Sequence, residues 1–127
     1  MAAISVLLVE DEALISMLVS DALNEEGFEV HEVATADDAL DFIEAGGRVD
    51  VLFTDINLPG SMNGAELAQR VRAMRPDLPV VYASARYGNG DMPDRVPDSV
   101  FLPKPYDPQA LCSVVTRLTR LASAMVC

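Results

Sequence analysis

The sequence predicts one doubly wound α/β domain spanning residues 1–127, with five parallel strands in the order 2-1-3-4-5 and an irregular or short fourth helix. Three observations carry this. Short β-rich apolar runs alternate with helix-period segments along the chain, and parallel strands need such crossover connections. The first run, residues 4–9, is apolar almost without a break, as a strand covered on both faces should be. The length of 127 residues suits one domain with a real core.

After that first strand, Leu14, Met17, Leu18 and Ala22 recur at helical spacing as the apolar stripe of a helix, which Gly27 closes as a C′ residue. Residues 28–33 alternate apolar with polar side chains, a strand nearer the sheet edge. Thr35 suits the N-cap of a helix burying Ala36, Ala39, Leu40 and Ile43, ended by Gly46 and Gly47. Residues 51–53 form a third strand that stops at Asp55. Asn63, with Glu66 three residues on, resembles a capping box before a helix that buries Leu67, Val71 and Met74. Residues 80–83 and 100–102 supply the fourth and fifth strands.

Between those two strands, residues 86–99 contain Gly88, Gly90, Pro93 and Pro97 and almost no apolar periodicity. A mobile segment short of regular helix, placed to read out a change at the site, is expected there. Asp107 followed by Pro108 caps and opens the last helix. Leu111, Val114, Val115, Leu118, Leu121, Ala122 and Met125 give it the cleanest stripe in the chain. At this size the flavodoxin-like strand order is the natural one.

Composition narrows the partners. Twenty acidic and nine basic side chains give a formal charge of -11. That balance speaks against nucleic-acid phosphates and anionic membrane surfaces, and favours protein partners or small cations. No run approaches the ~18 apolar residues of a membrane span. The apolar start lacks the preceding basic residues of a signal peptide and runs straight into Glu10, Asp11 and Glu12. Cys112 and Cys127 make neither a disulfide framework nor a metal pattern, so a reduced, cytoplasmic setting is expected.

Ligands of such sheets bind at the carboxyl ends of the strands, where the strand order reverses. Strand one ends in Glu10, Asp11 and Glu12, strand three in Asp55, strand four in Ser84 and strand five in Lys104. Crowded carboxylates repel and need a cation. Magnesium suits them: Asp11 and Asp55 would ligate directly, Asn57 through its backbone carbonyl, and Glu10 directly or through water. Glu10 and Glu12 have a simpler reading as acids at the start of a helix. Such a site can hold a phosphoryl group in flight, with Asp55 as nucleophile and the metal, Lys104 and the Ser84 hydroxyl each neutralising an oxygen. His31, the only histidine, is expected to be a surface residue.

The stretches Val-Glu-Asp-Glu (9–12), Asp-Ile-Asn-Leu-Pro-Gly (55–60), Ala-Ser-Ala (83–85) and Lys-Pro-Tyr (104–106) together resemble the receiver domains of bacterial response regulators. The resemblance covers essentially the whole chain. It implies that Glu10 and Asp11 are the acidic pair, Asp55 the phosphoacceptor, Ser84 the switch hydroxyl and Lys104 the phosphate-sensing lysine. It also implies a cis Lys104-Pro105 peptide and places Phe101 at the switch-aromatic position, where a plain core Phe is the alternative. Tyr82, Ala83 and Tyr87 further resemble the FAT GUY subclass, whose fourth strand reads Phe-Ala-Thr-Gly and then Tyr; Ser84 stands in place of its Thr, keeping the hydroxyl, and Ala85 in place of its Gly.

The expected partners are a histidine kinase or histidine phosphotransfer protein and a downstream protein target, with the chain a monomer or weak dimer. No DNA-binding or enzymatic segment is expected after the last helix. The chain is therefore expected to be a single-domain regulator that catalyses only its own phosphorylation and dephosphorylation. Other readings are a phosphate sink, a degenerate receiver used as an interaction module, and a small metal-dependent phosphatase. A dinucleotide binder would need a glycine-rich turn where the three acids stand.

Overall fold

The computed structural model of the protein describes residues 3–84 and 95–126, with side chains through residue 120. Its elements are β1 (Ser5–Val9), α1 (Ala13–Glu25), β2 (Glu29–Val33), α2 (Ala36–Glu44), β3 (Val51–Asp55), α3 (Gly64–Met74), β4 (Val80–Ser84), β5 (Val100–Pro103) and α4 (Pro108–Val126). All strand pairs are parallel and the order is β2-β1-β3-β4-β5. The three central strands are buried at every position, whereas β2 and β5 form the half-exposed edges.

Period-two alternation sorts the strand side chains into two cores. Leu7, Val9, Leu52, Val80 and Tyr82 pack with Leu67 and Val71 of α3 and Ala39 of α2. Val6, Leu8, Phe53 and Val81 pack with Val19 and Leu23 of α1 and with Leu111 and Val115 of α4. Each fully buried side chain of this size contributes roughly 1.5–3 kcal/mol, which offsets the ordering of the crossover segments.

Helix ends follow the local chemistry. Thr35 Oγ1 accepts from the Asp38 N–H at 3.1 Å, and Asn63 Oδ1 from the Glu66 N–H at 2.9 Å. The Glu66 carboxylate pairs with Arg70 at 3.1 Å, one turn on, so the cap is made by Asn63. Asp107 Oδ1 accepts from the Gln109 N–H at 3.0 Å. Gly27 and Gly46 stop their helices at φ +92° and +90°, where a side chain is strained. Cys112 is buried in the second core, and burial pushes its thiol pKa up.

Two apolar stripes differ from expectation. Leu14, Met17 and Leu18 of α1 face solvent at 65%, 50% and 53% exposure, and the helix docks through Ser16, Val19, Ser20 and Leu23. The seam beside β2 accepts serine because the Ser16 hydroxyl donates to Glu32 at 2.6 Å. Met74, the last residue of α3, is also exposed. The next residue takes up the seam there, as the Arg75 guanidinium donates to the Val49 carbonyl at 2.8 Å.

Of the 86–99 stretch, residues 86–94, Tyr87 included, lie outside the described residues, as does Ala85. Residues 95–99 form no regular helix but are tied down. The Val96 N–H donates to the Tyr82 hydroxyl at 3.0 Å, and Arg72 donates to the carbonyls of Leu78 and Pro97 at 2.7 and 2.6 Å. Arg95 bonds both the hydroxyl and the carbonyl of Ser99.

Candidate functional site

Strand register brings the expected residues to one rim of the sheet. Val9 is level with Thr54, Asp55 with Ala83, and Ser84 with Pro103. The ladder then runs one bond further at three places. The Glu10 N–H donates to the Val33 carbonyl at 3.1 Å, Ile56 to Ala83 at 3.1 Å, and Lys104 to Ser84 at 2.9 Å. The Lys104-Pro105 peptide is cis.

On this rim Lys104 Nζ lies 2.9 Å from Asp55 Oδ2 and 3.4 Å from Glu10 Oε1. Glu10 and Asp55 are almost wholly buried, Asp11 is exposed, and one carboxylate oxygen from each of the three lies within 4.8 Å of the others. Glu10 Oε2 accepts from the Glu12 N–H at 3.1 Å. Glu12 itself is the N-cap residue of α1 and makes no capping bond with its side chain; its backbone N–H is what it contributes to the rim. Ser84 is fully buried between the levels of Asp55 and Lys104.

Burial raises the pKa of Glu10, and the charge of Asp55 adds to this; the Glu12 N–H and Lys104 oppose it. Burial alone would lower the Lys104 pKa, but the hydrogen bond to Asp55 and the charges of Asp55 and Glu10 outweigh it, so the net direction is upward. Three carboxylates therefore face one ammonium, and negative charge remains in excess. Hard oxygen donors, two buried and one open to solvent, fit a divalent cation such as magnesium.

Other expected residues fall where their neighbours dictate. Asn57 sits exposed on the bend two residues after Asp55. Phe101 is partly buried against the first core, its ring centroid 6.2 Å from that of Tyr82. His31 is exposed on β2 and stacks on Phe42 with centroids 3.9 Å apart, in mid-strand rather than at the rim. Ala85 and Tyr87, which bear on the FAT GUY pattern, lie outside the described residues.

Gly64 was not singled out by sequence. Its N–H donates to the Ile56 carbonyl at 2.8 Å, and a Cβ there would stand 2.0 Å from the Asp55 carbonyl oxygen. The signal is a glycine directly after the capping Asn63. Glycine is a poor helix former, so its use at a helix start points to a close backbone approach.

The family model for the response regulator receiver domain matches residues 6–116. The chain is 34% identical over 118 residues to sensor kinase CckA of Brucella abortus (strain 2308), covering 90% of this chain and 12% of that protein. It is 31% identical over 115 residues to the DNA-binding transcriptional regulator NtrC of Bradyrhizobium sp. (strain RP501 Parasponia), covering 89% of this chain and 24% of that one. It thus spans a quarter or less of the length of these relatives. Among solved structures, a response regulator receiver protein from Sinorhizobium medicae WSM419 superposes with a TM-score of 0.87. The two are 30% identical, over 93% of this chain and 95% of that one.

Proposed function

The chain belongs to the response regulator receiver family, and from that premise we propose that it accepts a phosphoryl group on Asp55 in a magnesium-dependent two-component relay. The donor is a histidine kinase or histidine phosphotransfer protein, and the output is contact with a downstream protein. The proposal treats residues 1–127 as one receiver unit working in the cytoplasm; no helix among the described residues is long and apolar enough to cross a membrane.

The observation that carries it is the convergence of Glu10, Asp11 and Asp55 within 4.8 Å, with Lys104 2.9 Å from the Asp55 carboxylate. In the proposed step an Asp55 oxygen attacks the phosphorus of the phosphohistidine. The P–N bond breaks as the O–P bond forms, and the imidazole leaves and takes up a proton. Lys104 stays against the carboxylate and neutralises a phosphoryl oxygen, and the Ser84 hydroxyl donates to another. Glu10, Asp11, Asp55 and the Asn57 carbonyl would hold magnesium, which supplies positive charge to the phosphoryl oxygens when bound.

The exposed Leu14, Met17 and Leu18 support the outer face of α1 as the donor's docking surface. Leu18 also lines an apolar cavity of about 400 Å³ beside Lys104. Apolar side chains exposed on one helix, one of them sharing a cavity with Lys104, fit a protein partner. Incubation with acetyl phosphate and magnesium, read by mass spectrometry, tests the acceptor. Wild type gains one phosphoryl mass and Asp55→Asn gains none; equal labelling of both overturns the assignment.

A further inference from the structure

The peptide that joins Asp55 to Ile56 is held from three directions. Its N–H donates to the Ala83 carbonyl at 3.1 Å, and its carbonyl accepts from the Thr54 hydroxyl at 2.8 Å. Gly64 closes in on the same carbonyl, whose oxygen a Cβ there would meet at 2.0 Å. The next peptide is tied as well, because the Ile56 carbonyl accepts from the Gly64 N–H at 2.8 Å.

Thr54 alone among these partners uses its side chain. It is fully buried, and it alternates along β3 with Leu52 and Ile56, which belong to the core under α2 and α3. Valine has nearly the same shape and would bring no polar atom into that core. A buried hydroxyl is unfavourable unless it is bonded, and this one bonds the carbonyl of the residue that follows it. β1 pairs with β3 only as far as Thr54, so no β1 residue stands opposite Asp55. The hydroxyl therefore ties down the chain at the point where the ladder to β1 has stopped. A planar peptide held at both its N–H and its carbonyl fixes ψ of Asp55. It thereby sets the backbone from which the Asp55 carboxylate reaches Lys104 at 2.9 Å, and the direction in which the chain leaves toward Asn57.

We propose, on the premise that Asp55 is the phosphoacceptor, that Thr54 is a positioning residue: its hydroxyl locks the Asp55–Ile56 peptide so that the Asp55 carboxylate and the Asn57 carbonyl are held for the divalent cation and the incoming phosphoryl group. Thr54 acts through the backbone, from the opposite face of the sheet to the Asp55 side chain.

Two pairs of chains isolate the hydroxyl: wild type against Thr54→Val, and Thr54→Ser against Thr54→Ala. Calorimetric titration with magnesium, amide exchange at Ile56 in metal-free protein and acetyl phosphate labelling are read on all four, with thermal melts to confirm folding. Removing the hydroxyl should weaken magnesium roughly three- to tenfold in both pairs and slow labelling at limiting magnesium by a similar factor. Exchange at Ile56 should quicken in both pairs. Unchanged magnesium affinity and labelling in Thr54→Val overturn the proposal and leave the hydroxyl a satisfied core group. A loss in one pair only traces to packing and overturns it equally. Should the valine chain not fold, the serine and alanine pair decides by the same comparison. Each of these failures leaves the receiver reading intact. Wild type that neither binds magnesium nor labels overturns both.

Discussion

Lys104 and Glu10, ninety-four residues apart in the chain, meet at 3.4 Å on the sheet rim. The same ammonium reaches Asp55 at 2.9 Å, so one cation serves two buried acids that leave β1 and β3.

Lys104→Ala should therefore act twice. Metal-free stability at neutral pH should fall by about 1–3 kcal/mol, because charge-assisted hydrogen bonds to buried acids are lost. Labelling of Asp55 by acetyl phosphate at saturating magnesium should slow on the order of a hundredfold, as when a preorganised donor is removed. Chemical denaturation and mass spectrometry measure the two. Undiminished labelling would show that Lys104 does not act on the transferring group.

The raised pKa of Glu10 sets a pH dependence. The folded protein holds this proton more tightly than the unfolded chain does. The resulting stabilisation is complete below the ordinary glutamate value of 4.5 and is lost as pH rises through the higher folded value. Metal-free protein should lose stability across that window, with Asp55 sharpening the loss and Lys104 and the Glu12 N–H moderating it. Glu10→Gln should flatten the profile. Magnesium should restore stability above the window, by about 2.7 kcal/mol at a hundred times its Kd. Asp11→Asn, by contrast, should raise metal-free stability and weaken binding. Denaturation curves at stepped pH with and without magnesium check the sign, and a flat wild-type profile would count against it.

Gly64→Ala should damage both fold and site. The added methyl would meet the Asp55 carbonyl oxygen at 2.0 Å, a backbone atom held in the β3 strand end. Overpacking of this kind costs about 1–3 kcal/mol, and relief must come from shifting the bend at residues 56–63. Thermal melting and the Asp55 labelling rate should fall together. A variant that melts and labels like wild type would show that this approach is relaxed.

The outer face of α1 separates docking from chemistry. Replacing Leu14, Met17 and Leu18 by serine leaves both cores intact, since none of the three is buried. Labelling by acetyl phosphate should stay at the wild-type rate, whereas transfer from a phosphorylated histidine donor should slow at least about tenfold. Equal slowing with both donors would place the effect in the fold.

The sheet and its rim were legible in sequence because both rest on local signals. Unbroken apolar runs marked β1, β3 and β4, and the polar residue ending each run named the site. Capping by Thr35, Asn63 and Asp107 was equally local. The rotation of α1 was not legible. Leu14, Met17 and Leu18 form the larger apolar stripe, and only tertiary structure supplies the Glu32 acceptor that lets Ser16 turn inward. Gly64 escaped for the same reason: its meaning lies in one backbone carbonyl, which no periodicity encodes.

The three backbone bonds that extend the ladder past the strand ends, at Glu10, Ile56 and Lys104, make the floor of the site a continuation of the sheet. The backbone anchors of the charged groups are therefore held by the same kind of hydrogen bond as the strands themselves. In the proposed function, a charge change on Asp55 takes place directly above that ladder. Side-chain rotation and the loops are then the routes that leave this backbone ladder unbroken.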